Sequence, residues 1–435
     1  MSLDFSEVYR CNGPAPQFSP SGRYLATAVD FRLVVRDVDT LNVVQLFSCL
    51  DKIEHIEWAC DSNFILCGLF KRAMVQAWSV EQPDWNCKID EGPAGISHAR
   101  WSPEGRQIIT VADFNIRITV WSLINKSCKY IKAPKFSNKG MAFSPDGKFM
   151  ALAERRECKD YVSVFACEDW SVAAHFPVET NDLSDLSWSP DGGNLAIWDD
   201  CLYYKLMIYT PDGRCMSRYT AYENALGVKS ISWCPSGQLL AVGSYDQVAR
   251  IFNHLTWKPF ADFSHPLTLK TPASVVVYLE VTDRVGPAED ASMTRSRYSV
   301  CSLPQAIPNQ KAAPDKPNPK LGVGTVAWSG DNKYLVTRND NQPSAVWIWD
   351  MTRLELATVL LQKDPVKSLD WDPVHNRLAL CTGGTRVFLW APEGASCVHI
   401  PLPDFQAHKV QWNPIGTAFA LTDRETFCCA FLGTP

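Results

Sequence analysis

An aromatic residue followed by Ser-Pro or a variant, and then by a polar turn that usually ends in glycine, recurs nine times along this chain. The copies start at Phe18, Trp58, Trp101, Phe143, Trp188, Trp233, Trp328, Trp371 and Trp412, and the fifth reads Trp-Ser-Pro-Asp-Gly from Trp188 to Gly192. Successive starts lie 40, 43, 42, 45, 45, 95, 43 and 41 residues apart, so one step is doubled and the rest keep one period. A unit of about forty residues built as a small sheet cannot bury its own faces. Such units must pack against one another, and the economical solution is a ring.

Each unit reads as four strands. A short alternating run precedes the turn, as in Lys229 to Trp233, and a second follows it, as in Leu239 to Val242. Proline presets one backbone angle of the turn between them, and glycine can take the positive φ that a tight reversal requires. The turn is therefore structural chemistry. A third apolar run comes about twenty residues after each aromatic: Val75 to Trp78, Ile118 to Trp121, Val162 to Phe165, Leu206 to Tyr209, Ala249 to Phe252, Val346 to Trp349, Val387 to Trp390 and Cys428 to Phe431. In the first repeat this strand ends instead at Arg36, followed by Asp37. A fourth, more polar run such as Asn42 to Ser48 forms the outer edge. The last repeat stops after its third strand, while Phe5 to Tyr9 alternate with no unit of their own. The spacing predicts that this N-terminal strand completes the C-terminal sheet, covering an exposed edge.

Together these features predict an all-β, WD40-type β-propeller: one closed ring of nine four-stranded blades spanning residues 1–435 as a single domain. The alternative is seven or eight regular blades with degenerate extra strands. The repeat lapses between His254 and Lys320. Residues 255–320 read as an irregular insertion, in which Val275 to Val281 and Arg297 to Leu303 can pair as a hairpin or form a degenerate extra blade. Pro304, Pro308, Pro314, Pro317 and Pro319 then crowd 304–319 beside Lys311, Asp315 and Lys316, a composition that favours flexible extended chain or a docking segment.

Composition narrows the function classes. With 46% hydrophobic residues and 16 Trp there is ample material for a continuous core. No basic-apolar leader occupies Met1 to Arg10, and no apolar run approaches the ~20 residues that span a bilayer, so a soluble, intracellular protein is expected. The 16 cysteines include no Cys-x-x-Cys pair; Cys67, Cys381 and Cys428 fall where small apolar residues belong and read as buried thiols of a reducing compartment. The eight histidines form no ligand pair, and no metal or cofactor is expected. No phosphate loop, nucleophile elbow or kinase signature is present, and Gly383 and Gly384 read as a blade turn, so no catalytic residue is assigned. A formal net charge of −5 disfavours nucleic acid unless a basic surface is local.

Binding is then expected on the loops joining second to third strands, which gather on one face. Phe70, Lys71 and Arg72 lie there in blade two. Blade four supplies Glu154, Arg155, Arg156, Glu157, Lys159 and Asp160; blade five supplies Trp198, Asp199, Asp200, Tyr203 and Tyr204; blade seven supplies Arg338, Asn339, Asp340 and Asn341. Aromatics and arginines on a rigid face are the material of protein-binding hot spots. Phe70, Lys71, Arg72, Arg155, Arg156, Lys159, Trp198, Tyr203 and Arg338 are the candidate partner-binding residues.

Stretches outside the turns resemble one WD-repeat family. They include Ile56 to Trp58, Phe64 to Cys67, Lys71 and Arg72, Glu81 to Trp85 leading into Cys87 to Gly92, Ala151 to Arg156 with Cys158 to Val162, Val242 to Asp246, and Thr337 to Asn341. The chain is similar there to the family of the WD-repeat-containing protein eight, also described as antisense to a tumour-protein gene. That resemblance implies a non-enzymatic scaffold of the cytoplasm and cytoskeleton, at centrosomes, spindle poles and centriolar satellites. It implies that the scaffold acts with a coiled-coil anchoring protein of the SSX-interacting type, and further with a minus-end-directed kinesin and gamma-tubulin-associated material. The implied role is holding microtubule minus ends, supporting spindle assembly and ciliogenesis, with no direct nucleic-acid or membrane partner. A ribosome-associated translation-initiation propeller and a generic complex-assembly adaptor are the alternatives.

Overall fold

A computed structural model describes residues 3–270, 274–284, 294–313 and 319–433. Their secondary structure is strand throughout, apart from three single 3₁₀ turns. The chain divides into two compact units, residues 10–227 and residues 1–9 with 228–435.

The first unit carries five four-stranded blades. Blade one runs Gln17–Phe18, Tyr24–Val29, Arg32–Asp37 and Val43–Ser48. Blade two runs His55–Trp58, Phe64–Leu69, Met74–Ser79 and Asn86–Asp90. Blade three runs His98–Trp101, Gln107–Val111, Arg117–Ser122 and Cys128–Lys132. Blade four runs Met141–Phe143, Phe149–Arg156, Lys159–Ala166 and Val172–Pro177, and blade five Leu183–Trp188, Leu195–Asp199, Leu206–Tyr209 and Cys215–Tyr219.

The second unit carries four. Blade six runs Val228–Trp233, Leu239–Ser244, Val248–Asn253 and Pro259–Ser264; blade seven Val323–Trp328, Tyr334–Asn339, Ala345–Asp350 and Glu355–Leu361; blade eight Ser368–Trp371, Leu378–Cys381, Arg386–Ala391 and Gly394–His399. Blade nine has three C-terminal strands, Lys409–Trp412, Ala418–Thr422 and Thr426–Leu432, and borrows Leu3–Phe5 as its fourth. Leu3 faces Leu432 and Phe5 faces Ala430, and Ser6 exchanges hydrogen bonds with the Cys429 backbone. The expected swap is present, but the strand begins at Leu3 and not at Phe5.

The nine expected four-stranded blades are all there, in a WD40-type propeller fold. Their core is a set of seams. One apolar cluster joins Leu33, Phe47, Ile65 and Cys67 of blades one and two; another joins Val162, Phe176, Ile197 and Met207 of blades four and five; a third joins Ile251, Phe263, Trp347 and Trp349 of blades six and seven. A blade's two faces are therefore both buried, which is why its middle strands read as almost unbroken apolar runs.

The repeat's own residues make the seams polar as well as apolar. The indole N–H of the turn tryptophan donates to a carbonyl in the preceding blade: Trp58 to Gln17, Trp101 to Glu57, Trp188 to Ala142, Trp328 to Ser232, Trp371 to Ala327 and Trp412 to Asp370, at 2.9–3.2 Å. In the turn itself, the Ser144 hydroxyl donates to Asp146 at 2.6 Å and accepts the Phe149 N–H at 2.9 Å, while Gly147 supplies the positive φ.

The irregular segment is resolved in blade seven's favour. Val276–Arg284 and Thr294–Cys301 form the hairpin, and Val276 to Leu279 pair in parallel with Thr358 to Leu361, extending blade seven to six strands. The hairpin reaches blade eight: Tyr298 packs beside Phe388, and buried Glu280 holds Arg386 at 3.0 Å and the Lys363 N–H at 2.9 Å. Within the proline-rich stretch, Ile307 is buried and the Gln310 N–H donates to Asn341. Residues 314–318 lie outside the described residues, and with them Pro314, Asp315, Lys316 and Pro317. All sixteen cysteines are free thiols; Cys67, Cys381 and Cys428 are fully buried, and burial pushes the Cys381 thiol up to about 12.

Candidate functional site

Two blades show how the framework fixes its loops. In blade seven the Trp349 indole donates to Thr337 Oγ1 at 2.9 Å, Thr337 meets His265 Nε2 at 2.8 Å, and His265 Nδ1 meets the Gln247 carbonyl at 2.8 Å. Desolvation holds His265 at a pKa of about 4, so the ring stays neutral. Blade three has Glu91 in the equivalent place, accepting from Thr110, Trp121 and Arg117 at 2.5, 3.2 and 2.9 Å. Burial opposes its ionisation, but those hydrogen bonds outweigh it and hold the carboxyl below the usual range. Glu91 pins the chain entering blade three to that blade's middle strands, and His265 pins the chain leaving blade six to a middle strand of blade seven, so the second-to-third-strand loops project from a rigid base.

In the first unit those loops present the candidate face. Blade two turns through a 3₁₀ segment, Phe70–Arg72, ended by Ala73 at φ 54°. The Phe70 ring folds back over Gly68, where a Cβ would lie 2.6 Å from it, and stacks on His55. That leaves Phe70 half-buried and Lys71 81% exposed, with the Lys71 N–H on Glu54 and Arg72 Nε on Asp51 at 2.7 Å.

Blade four was expected to carry a charged loop; it carries a long hairpin closed by two residues. Glu157 and Cys158 both take positive φ, the backbone of a tight turn whose twist matches the strands. Arg156 and Lys159 face each other across the turn, and Arg155 faces Asp160. Lys135, only 7% exposed, donates to Asp160, Asp182 and the Leu183 carbonyl at 2.7–2.9 Å. Arg155 adds a contact to Asp182 at 2.5 Å, and Arg156 pairs with buried Glu154 at 2.6 Å. Burial works to raise the Asp182 carboxyl, yet the Lys135 hydrogen bond and the charges of Lys135, Arg155 and Lys139 keep it below the usual range. Two cations and two carboxylates thus lock blades four and five together.

Blade five places Trp198 within its second strand, half-buried, and exposes Leu202 and Tyr203 on the loop; Tyr204 is buried. Asp199 accepts the Asn181 and Asp182 N–H groups. Sequence reasoning missed the most prominent side chain. Phe114, at the tip of the blade-three loop with φ 57°, is 95% exposed, and Ile116 stands exposed beside it. Phe31 on the blade-one loop is a further exposed aromatic, under the Arg32 guanidinium. The available signal was an apolar residue inside turn composition, Asp113-Phe114-Asn115, where burial cannot explain it. Phe114, Asn115, Pro134, Phe136, Arg155 and Asp182 border an open depression of about 560 Å³.

In the second unit the blade-seven loop is a structural knot. Arg338 Nη1 donates to the Val366 carbonyl at 2.8 Å, and Asp340 takes Lys229 at 2.7 Å. Asn339, Asn341 and Gln342 are buried and bonded to Gln247, Gly322 and His265. Among the described residues no group of three or more His, Cys, Asp or Glu side chains is placed to hold a metal ion, and no helix is long and apolar enough to cross a membrane. What the first unit offers is shape, with apolar tips at Phe31, Phe114, Leu202 and Tyr203 among salt-bridged cations.

Residues 213–253 match the family model described as WD domain, G-beta repeat. The fold is similar to that of the C-terminal WD40 domain of Sif2, with a TM-score of 0.55 at 11% identity and 99% of each chain covered. An uncharacterized WD repeat-containing protein of Schizosaccharomyces pombe is 22% identical over 94% of this chain and 88% of its own length. The mouse WD repeat-containing protein WRAP73 is 47% identical over 99% of this chain and 96% of its own. The chain belongs to the WRAP73 family of WD repeat-containing proteins.

Proposed function

We propose that this chain is a non-enzymatic scaffold and that the loop face of its first unit grips a coiled-coil anchoring protein of the SSX-interacting type. The observation that carries the reading is Phe114: a phenylalanine left 95% exposed on a loop rigidly fixed from below, beside a depression lined by Lys135, Arg155 and Asp182. Exposed aromatics rimmed by polar residues mark protein interaction sites. An apolar stripe of a helix supplies matching side chains at three- and four-residue spacing. Following the resemblance of the sequence, the assembly tethers microtubule minus ends at centrosomes and spindle poles, with a minus-end-directed kinesin and gamma-tubulin-associated material as further members, in support of spindle assembly and ciliogenesis. Affinity purification from mitotic cells tests this. Capture of a coiled-coil pole protein by the unaltered chain, lost with Phe114→Ser, is expected. Recovery of ribosomal subunits or unrelated complexes in its place overturns it.

A further inference from the structure

A second surface lies on the outer edge of blade three. Between Asp113 and Asp146 the chain carries Arg117, Lys126, Lys129, Lys132, Lys135 and Lys139 and no carboxylate, although its formal net charge is −5. Arg117 is spent on Glu91, and Lys135 on Asp160 and Asp182. Lys126, Lys129 and Lys132 remain exposed on the turn and strand that form the blade's edge, Lys129 reaching the Asp169 carbonyl. Tyr130 between them is 56% exposed, and Ile124 stands exposed just before them.

The edge itself is open. Cys128–Lys132 is the last strand of its sheet, with no further strand among the described residues. The Ala133 N–H donates to Ile116 and the Ser127 carbonyl accepts from Ser122. In an antiparallel ladder inward and outward groups alternate, so residues 127, 129, 131 and 133 bond inward and the backbone groups of Cys128, Tyr130 and Lys132 point outward. Depressions flank this strand, one of about 500 Å³ reaching Trp85, Trp121 and Lys126, and one of about 370 Å³ reaching Tyr130, Lys132 and Trp170.

We infer that the outer edge of blade three accepts an acidic extended segment of a partner protein as an added antiparallel strand. Lysines on an edge repel a second copy of the same strand. Lys129 and Lys132 lie on the strand, on opposite faces, and each favours Glu or Asp across from it, since opposite charges directly across a strand pair attract; Lys126 adds its charge from the preceding turn. The outward N–H and C=O groups give the affinity, and apolar side chains of the segment enter the flanking depressions. A nucleic acid fits less well: it would follow the charges but leave the outward backbone ladder unused, and Asp90 lies beside Lys126 and Asp169 beside Lys129.

Fluorescence anisotropy of the full chain with a labelled decapeptide of alternating Glu and Val tests this at low salt. Saturable binding is expected, weakened tenfold or more by Lys126→Glu with Lys132→Glu and abolished when alternate peptide amides are N-methylated. Circular dichroism and thermal melts check that the variant stays folded. Absence of saturation up to about 1 mM peptide overturns the inference. So does equal binding of the N-methylated peptide, which leaves charge attraction alone, or displacement of the peptide by a short single-stranded RNA that binds more tightly. Phe114→Ser leaves this binding unchanged, so the two surfaces are separable.

Discussion

The indole N–H of Trp188 donates to the carbonyl of Ala142 at 3.0 Å, joining blade five to blade four. Ala142 is the residue just before Phe143, the aromatic of the preceding repeat, and the same relation holds from Trp58 to Gln17, Trp101 to Glu57, Trp328 to Ser232, Trp371 to Ala327 and Trp412 to Asp370. One residue type at one place in the repeat thus ties its sheet to its neighbour. Trp188→Phe keeps the ring and loses only this bond, while Ala142 stays paired with Ala151 in its own sheet; it lowers stability by about 1 kcal/mol in chemical denaturation. Trp188→Ala also empties the seam and costs about 3–5 kcal/mol.

Lys135 and Lys71 are both lysines beside carboxylates, and burial separates them. Lys135→Met leaves Asp160 charged in a nearly dry site, and a loss of about 3 kcal/mol is expected. Lys71→Ala removes an exposed contact at 3.9 Å, and its effect stays within about 0.5 kcal/mol. Parallel thermal melts distinguish the two.

The Asp370 carboxylate accepts the Trp412 backbone N–H at 2.7 Å, and burial pushes its carboxyl up to about 6 despite that bond. A raised carboxyl binds its proton more tightly when folded, so its ionisation costs stability progressively as pH rises from about 4 to 6. His265 acts in the opposite direction. Held neutral at about 4, it costs stability as pH falls from about 6.5 to 4, where the unfolded chain gains the proton first. Asp370→Asn therefore gains on the unaltered chain as pH rises through this window, and melting temperatures from pH 4 to 7 check the sign.

Glu280 anchors the added hairpin to blade eight through Arg386 and to the chain beyond blade seven through the Lys363 N–H. Glu280→Ala leaves Arg386 and that N–H without these bonds, and hydrogen exchange in Thr294–Cys301 is expected to accelerate more than in the four inner strands of blade seven.

For the loop face, Phe114→Ser, or Arg72→Ala with Arg156→Ala, weakens partner capture by about 1–2 kcal/mol per hot-spot residue. Melting temperature changes little with Phe114→Ser, because Phe114 buries almost nothing in the free chain.

The blades were legible because the repeat is local. Aromatic, turn and third-strand positions recur within forty residues, and each follows from backbone geometry and two-residue alternation. The hairpin strands were legible for the same reason. Their parallel pairing with Glu355–Leu361 was not, since the two partners are separated by more than fifty residues and by three strands of blade seven. Charge in a loop was visible, but its use was not. Arg155 and Arg338 read alike as exposed arginines, and only the fold shows Arg338 bonded to Val366 and Arg155 closing a four-charge cluster with Lys135.

By itself the sequence determined the unit, its four strands, the nine copies and the exchange of an N-terminal strand, because short-range pattern and edge covering dictate them. Tertiary structure alone decided which polar groups are spent inside the protein and which face outward. Asn339 is polar and fully buried, and nothing local to it states that outcome; Phe114 is apolar and exposed, and its turn composition hints at exposure without showing what surrounds it. Burial is a property of the neighbours that arrive from other blades, and those neighbours are chosen by packing.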